Sequence, residues 1–385
     1  MANTKIDHNS KITLILKKQK LNDDTFVVGD EMNGIFIEVP QEAIHIIDLC
    51  DGTRTIKEIQ NILEMEMGEE YDVIEFVSDL YELNLVYKIN SHVIIQRKDI
   101  RHLRFTKFIA HLFFNNKMHI IYGIIFFINI CVMCFTKDNL PNYKNVEVID
   151  GCSGLSLVCF TIIGIVITML HEIGHYLAAV ELRIPTKIKL SLRLFYLVVE
   201  TDINSIWGIE RNKRYTCYLA GFYTENLILM LTFIIKNFGV IGDFGEQICN
   251  VIILIVFLNF MWQLMIFLRT DFYFVILNYL NVPALHFSAM QLLRDSGKIM
   301  KKKTDKKVLV YLLVYIVGTI ASVFYLINEA LIYIELFLVT INRFEIVTVH
   351  GYINWLRQNA EIEKSFLGIS NCGLSRHVNV SPDHF

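Results

Sequence analysis

Charge is what this chain has least of. Only 19% of its 385 residues are Asp, Glu, Lys or Arg, while 54% are hydrophobic and the mean hydropathy is +0.43. A single water-soluble core cannot hold that much apolar side chain, so several segments are expected to face lipid. Neither sign is in excess: 36 basic and 39 acidic residues leave a net charge of −3. That excludes a global positive field for nucleic acid and makes any relevant electrostatics local. Cysteine is sparse as well. Eight cysteines in this length make no disulfide framework, and Cys131, Cys134, Cys159, Cys217 and Cys249 lie in apolar runs where a free thiol packs as a small hydrophobe. Met1 to His8 holds no basic stretch followed by an apolar run, so no cleavable signal peptide is expected and the N-terminus is expected in the cytoplasm.

What the chain does have is a set of long apolar runs. Met118–Phe135, Gly151–Leu170, Tyr215–Ile235, Gln247–Leu268 and Val308–Asn328 each carry at most one charged residue and approach the roughly 20 residues that cross a hydrocarbon core. A weaker stretch, Ala330–Ile341, contains Glu335 and either completes a sixth span or lies at the interface. Lysine and arginine set the orientation, because loops rich in them stay on the cytoplasmic side. Arg97, Lys98, Arg101, Arg104, Lys107 and Lys117 precede the first span, whereas the loop 136–150 has only Lys137 and Lys144 against three acids and reads as outside. Arg183, Lys187, Lys189, Arg193, Arg211, Lys213 and Arg214 follow the second span. Arg269, Arg294, Lys298 and the Lys301–Lys307 run follow the fourth, so both of these loops read as inside. The expected fold is an α-helical polytopic membrane protein of five to six transmembrane helices with a small N-terminal α+β domain of winged-helix shape.

That N-terminal domain, residues 1–96, shows a different pattern. Phe26–Glu31 and Ile35–Val39 are β-prone runs joined through Met32-Asn33-Gly34, a hairpin signal. Ala43, Ile46 and Ile47 share a helical face. Thr55 and Glu58 have capping-box spacing ahead of Ile59, Ile62 and Leu63, and Val73, Phe76, Val77 and Leu80 repeat at helical spacing. Leu85–Ile89 and Val93–Ile95 can pair as strands. Between this domain and the membrane, residues 97–117 place Phe105, Phe108, Ile109 and Leu112 on one face among Arg101, Arg104 and Lys107, which fits a basic amphipathic helix at an anionic leaflet or a plain connector. Residues 118–342 then form the membrane domain, and the tail 343–385 carries no readable signal.

The chemistry concentrates at the inner end of the second span, in Leu170-His171-Glu172-Ile173-Gly174-His175. Residues four apart share a helix face, so His171 and His175 can offer two imidazole nitrogens to one Zn²⁺, and Glu172 stands beside the metal as general base. Chance HExxH motifs occur on solvated helices. Within a span, however, an ionisable residue carries a penalty of about 2.5–3.5 kcal/mol on insertion scales and is kept for function or specific pairing. A catalytic zinc needs a third protein ligand. Asp271, at the inner end of the fourth span, is the strongest candidate because the topology puts it on the same side as His171 and His175; Glu225 and Asp202 compete, while Asp243 falls in an outside loop at the wrong depth.

These residues resemble the site-2 protease group of intramembrane zinc metalloproteases, with HExxH in one membrane helix and an aspartate ligand from a later one. The bacterial peptide zinc metalloproteases are more similar still: their Leu-Arg-x-Asp-Gly-Tyr segment is matched by Leu268, Arg269, Asp271 and Tyr273, and Ala220-Gly221 and Glu200-Thr201-Asp202 also look similar. Departures are Phe272 where the family has glycine and Leu264-Met265-Ile266 where it has Asn-x-Pro, so substrate specificity does not carry over. The stretch Ile46–Ile59, followed by Phe76–Val86, resembles the small peptide-binding protein of pyrroloquinoline quinone biosynthesis, a type that binds leader peptides by strand addition. Together the resemblances span residues 26–90 and 155–285. They imply an intramembrane zinc endopeptidase at the cell membrane that processes a ribosomally made, modified peptide or precursor, with a peptide-modifying enzyme or exporter encoded nearby and no nucleic-acid partner. The competing class is a non-proteolytic membrane component of a peptide export or immunity system.

Overall fold

The computed structural model describes residues 6–22, 24–68, 70–95, 103–142, 152–282, 285–294 and 306–328. The chain divides into two compact units, Met1–Tyr315 and Ile316–Phe385; of the second, only residues 316–328, part of one helix, are described.

Among its described residues the N-terminal region holds two small sheets and three helices. Strands β1 (Lys11–Thr13), β2 (Lys17–Lys20), β3 (Thr25–Asp30) and β4 (Ile35–Pro40) precede α1 (Gln41–Leu49). Strand β5 (Asp51–Thr55), α2 (Ile56–Met67), α3 (Val73–Glu82), β6 (Lys88–Ile89) and β7 (His92–Val93) follow. One sheet runs β2-β3-β4 and the other β5-β1-β6-β7. The expected hairpin is β3 with β4, in register from Thr25↔Pro40 to Asp30↔Ile35, and Gly34 closes its turn at φ 66°. Helix α2 starts with the reciprocal capping box: Thr55 Oγ1 accepts from the Glu58 amide and Glu58 Oε2 from the Thr55 amide, at 3.3 and 2.8 Å. Ile12, Ile59, Leu63, Val77, Leu80 and Ile89 make the core. Strand β2 is unforeseen, because Lys17-Lys18-Gln19-Lys20 has no apolar alternation. It pairs with β3 on one side only, and lysine is the usual occupant of such an exposed edge.

Helix α4 (Arg104–Phe114) is shorter than the amphipathic stretch 97–117; Arg97, Lys98 and Arg101 lie outside the described residues. It buries Ala110 and Phe114 and leaves Phe105, Phe108 and Leu112 exposed. Among the described residues, four helices are long and apolar enough to cross a membrane: α5 (Met118–Phe135), α6 (Ser153–Glu181), α9 (Asp243–Gln263) and α12 (Lys306–Asn328). Helices α7 (Arg211–Tyr218) and α8 (Ala220–Phe238) pass the same test only as a pair bent by 45°. The third expected span, Tyr215–Ile235, is therefore broken at Leu219. Its first part is a polar helix whose buried Arg214 donates to the Ile209 and Trp207 carbonyls. The fourth, Gln247–Leu268, begins earlier and stops at Gln263. Asp243 and Glu246 occupy the first turn of α9, where acids favour the positive end of the helix dipole, so Asp243 starts a helix and does not sit in a loop. After a 3-10 turn at Ile266–Leu268, helices α10 (Asp271–Leu280) and α11 (Leu285–Arg294) follow. The stretch Ala330–Ile341, the tail 343–385, residues 143–150, Lys298 and Lys301–Lys303 lie outside the described residues.

Helix α8 packs against α5, α6 and α9. Small residues permit this: a Cβ added to Gly174 would meet Thr224 Oγ1 at 2.2 Å and the Ala220 carbonyl at 3.0 Å, the close approach by which membrane helices associate. Outside α6, Leu157, Val158, Ile162, Ile165 and Val166 present an exposed apolar surface. A hairpin, β8 (Lys187–Arg193) with β9 (Tyr196–Asp202), follows α6 and leads into a 3-10 turn, Asn204–Gly208. On that turn the N-terminal β2-β3-β4 sheet rests, with Gln19 Nε2 donating to the Gly208 carbonyl at 3.1 Å and the Ser205 hydroxyl to that of Glu31.

Thr55→Ala removes one half of the capping box and is expected to destabilise α2 by about 1 kcal/mol. Native-state amide exchange across Ile56–Met67 measures it, and unchanged protection there would contradict the role given to the box.

Candidate metal centre

Helix α6 runs without a break through the HExxH segment, so His171 and His175 lie one turn apart, with ring centroids separated by 4.9 Å at 60°. Both are buried, although the outer faces of the same helix are exposed and apolar. Asp271 arrives from the first turn of α10, and its Oδ2 lies 3.0 Å from His171 Nε2 and 2.9 Å from His175 Nε2; the two Nε2 atoms are 3.2 Å apart. The three side chains form a group that could hold a metal ion.

Hydrogen bonds on the far side of each ring show why a cation suits this group. His175 Nδ1 is 2.8 Å from the Cys217 carbonyl, which can only accept, so Nδ1 carries a proton and, in the neutral ring, Nε2 keeps its lone pair. His171 Nδ1 donates to Glu225 Oε1 at 3.0 Å, which orients that ring in the same way. With both rings neutral, two lone pairs and a carboxylate oxygen converge on one point in a buried place, an arrangement that a positive charge between them relieves. Ligand atoms in a tetrahedral set around zinc stand about 3.3 Å from one another, close to the spacing here. The ring of His171 fits only because position 221 is glycine: an added Cβ would lie 2.2 Å from its Nε2.

Asp271 is held by residues that sequence reasoning passed over. Gln263, the last residue of α9, accepts the Asp271 amide on Oε1 at 3.0 Å and receives the Thr270 hydroxyl on its carbonyl at 2.7 Å. Arg193 of β8 donates to the Arg269 carbonyl at 2.6 Å, fixing the residue that turns the chain at φ 57° just before the aspartate. A glutamine at the end of an apolar run was the available signal for Gln263; Arg193 had none for this role, since the carbonyls by which it holds the turn lie 75 and 76 residues away.

Glu172 is also buried, and its Oε2 accepts from the Thr201 hydroxyl at 2.6 Å. It lines a cavity of about 340 Å³ together with His171, Asp271, Trp262, Gln263 and Arg269. A smaller one of about 110 Å³ reaches Glu172, His175 and Asp271 past Thr201 and Trp207. Strand β9 forms a wall of both. Its Glu200 is pushed up by burial, yet the bonded Arg193 guanidinium and nearby Lys189 hold its carboxyl below the ordinary glutamate value. Of the competing ligands, Asp202 pairs with Lys189 at 3.2 Å, and Glu225 reaches His171 from the opposite nitrogen; neither joins the three converging atoms.

Replacing His171 or His175 with alanine is expected to remove most bound metal, read by elemental analysis of purified protein. Gly221→Ala, which forces His171 aside, should weaken retention against a chelator on the order of tenfold or more. Stoichiometric metal in the His171→Ala/His175→Ala double variant would overturn the assignment. No protein family, curated protein or solved structure matches this chain, so the geometry of the site carries the functional argument by itself.

Proposed function

We propose that the chain is a multi-pass membrane zinc endopeptidase that cuts a ribosomally made peptide, or its precursor, at the cytoplasmic side of the cell membrane. The observation that carries this reading is the convergence of His171 Nε2, His175 Nε2 and Asp271 Oδ2 beside the Glu172 carboxylate, at the wall of a cavity large enough for an extended peptide segment. The apolar helices and the alternation of basic and acidic loops support the membrane placement. The two small sheets and three helices of residues 1–96 suit a winged-helix peptide-recognition domain.

His171, His175 and Asp271 would hold a Zn²⁺, which would supply Lewis acidity to the peptide carbonyl and to water. The chain's own residues do the rest. Glu172 accepts the proton of the attacking water and returns it to the leaving amine, so the carboxylate is regenerated as the C–N bond breaks. Thr201 holds the Glu172 carboxylate through Oε2 and leaves its other oxygen for that proton. The Gln263 amide, anchored through Oε1, turns its Nε2 toward His171 at 3.5 Å, a distance too long for a good bond, and so keeps a donor for a carbonyl oxygen in the cavity.

Glu172→Gln conserves volume and leaves the metal ligands intact. Metal content should survive while processing falls 10²- to 10⁴-fold, the usual worth of a general base. The measurement is mass spectrometry of short peptides in cells carrying wild-type or variant protein at equal membrane levels. Processing by the variant equal to wild type would defeat the protease reading in favour of a non-proteolytic export or immunity component. Independently, a reporter fused after Lys307 should be cytoplasmic and one near Asn142 external; an external Lys307 fusion would invert the orientation.

A further inference from the structure

Glu225 lies inside α8, only 2% exposed, in a helix that forms a membrane-length pair with α7. A carboxylate in such surroundings is retained for a partner, and it has two. Oε1 receives His171 Nδ1 at 3.0 Å and Asn259 Nδ2, from α9, at 2.9 Å. Gly221, one turn earlier on α8, allows the other edge of the same imidazole to lie against the helix. Helix α8 therefore grips His171 twice, by a missing side chain at Nε2 and by a charge at Nδ1. The counterpart on His175 is a neutral carbonyl, that of Cys217. The two histidines thus differ in charge support.

We propose that Glu225 is a positioning residue of the metal centre: its carboxylate fixes His171 in the tautomer that bears hydrogen on Nδ1 and strengthens the Nε2 lone pair as a ligand. The inference rests on the metal-centre reading above. It follows from electrostatics as well as geometry. A carboxylate against the outer nitrogen of His171, in a medium that screens poorly, supports a cation on the inner one, and an amide in its place does so less. A partner of this kind on the non-ligating nitrogen commonly changes metal affinity by 10–100-fold. Asn259 acts one step further out by holding the Glu225 oxygen in line with the ring.

Glu225→Gln separates charge from shape, because the amide oxygen can still accept from Nδ1 and from Asn259. The full chain, purified in detergent, is titrated with Zn²⁺ and with Co²⁺ against a chelator. The variant should bind both 10- to 100-fold more weakly, and the visible absorption of its Co²⁺ form should shift as the His171 donor weakens. A purely structural acid would leave both readouts at wild-type values in the glutamine variant, and that result overturns the proposal. Should Glu225→Gln fail to fold, Asn259→Ala decides: a loss of affinity in the same direction supports the role, and wild-type affinity overturns it. Wild-type protein that binds neither ion overturns the metal-centre reading and this inference with it, whereas wild-type binding with an indifferent Glu225→Gln overturns this inference alone.

Discussion

Two imidazoles that must both present a bare Nε2 to one point set the terms for everything around them. Each ring needs an acceptor for its Nδ1 proton, and in a buried, apolar setting an unmet donor carries the full desolvation penalty of about 1–3 kcal/mol. Cys217 and Glu225 meet those needs from α7 and α8, on either side of the break at Leu219. A straight third span would have placed residues 217 and 225 two turns apart on one axis. The bend lets the two residues approach separate rings that are themselves one turn apart on α6. The break thus falls between the two residues that hold the histidine rings.

Aspartate faces the opposite difficulty. Its carboxylate must enter the same point from a later segment without a neighbouring cation that would hold it elsewhere. The chain solves this with main-chain geometry: α9 stops at Gln263, a 3-10 turn and the left-handed Arg269 redirect it, and α10 begins with Asp271 in its first turn. Arg193 secures the turn through carbonyls, and its charge is balanced by Glu200. Arg193, which lines both cavities, is thereby occupied by Glu200 and by carbonyls and does not pair with Asp271.

The motif residues were legible in the sequence because HExxH has a fixed spacing on a helix, and helix α6 keeps that spacing intact. Asp271 was expected from its place at the end of the fourth apolar run, while Glu225, midway along the third, and Asp202 stayed open as alternatives. What one dimension cannot convey is which nitrogen of a ring a carboxylate approaches, and on that point Glu225 and Asp271 part company. The hairpin β3–β4 and the capped helix α2 were legible from turn and cap chemistry, which act over three or four residues. Strand β2 was not, since its four polar residues become a strand only by pairing with β3. The ends of the third and fourth apolar runs were misplaced for a related reason: hydropathy reports what tolerates lipid, while α7 gives way to α8 at Leu219 and α9 stops at Gln263, which holds Asp271.

The N-terminal sheets and the metal site meet through a short piece of chain. Strand β9 carries Thr201, whose hydroxyl holds Glu172, and within three residues the backbone enters the Asn204–Gly208 turn on which β2, β3 and β4 rest. That seat is tight. A Cβ on Gly34 would meet Asn204 at 3.1 Å, and one on Gly208 would meet Glu31 at the same distance. Close packing of this kind moves as a block, because interiors at such density yield little to small displacements. The position of the Glu172 carboxylate is accordingly fixed from two directions, by the helix that bears it and by a strand whose far end is clamped beneath the N-terminal sheet. Any shift of that sheet large enough to unseat the turn has only the three residues 202–204 in which to be absorbed before it reaches the Thr201 hydroxyl.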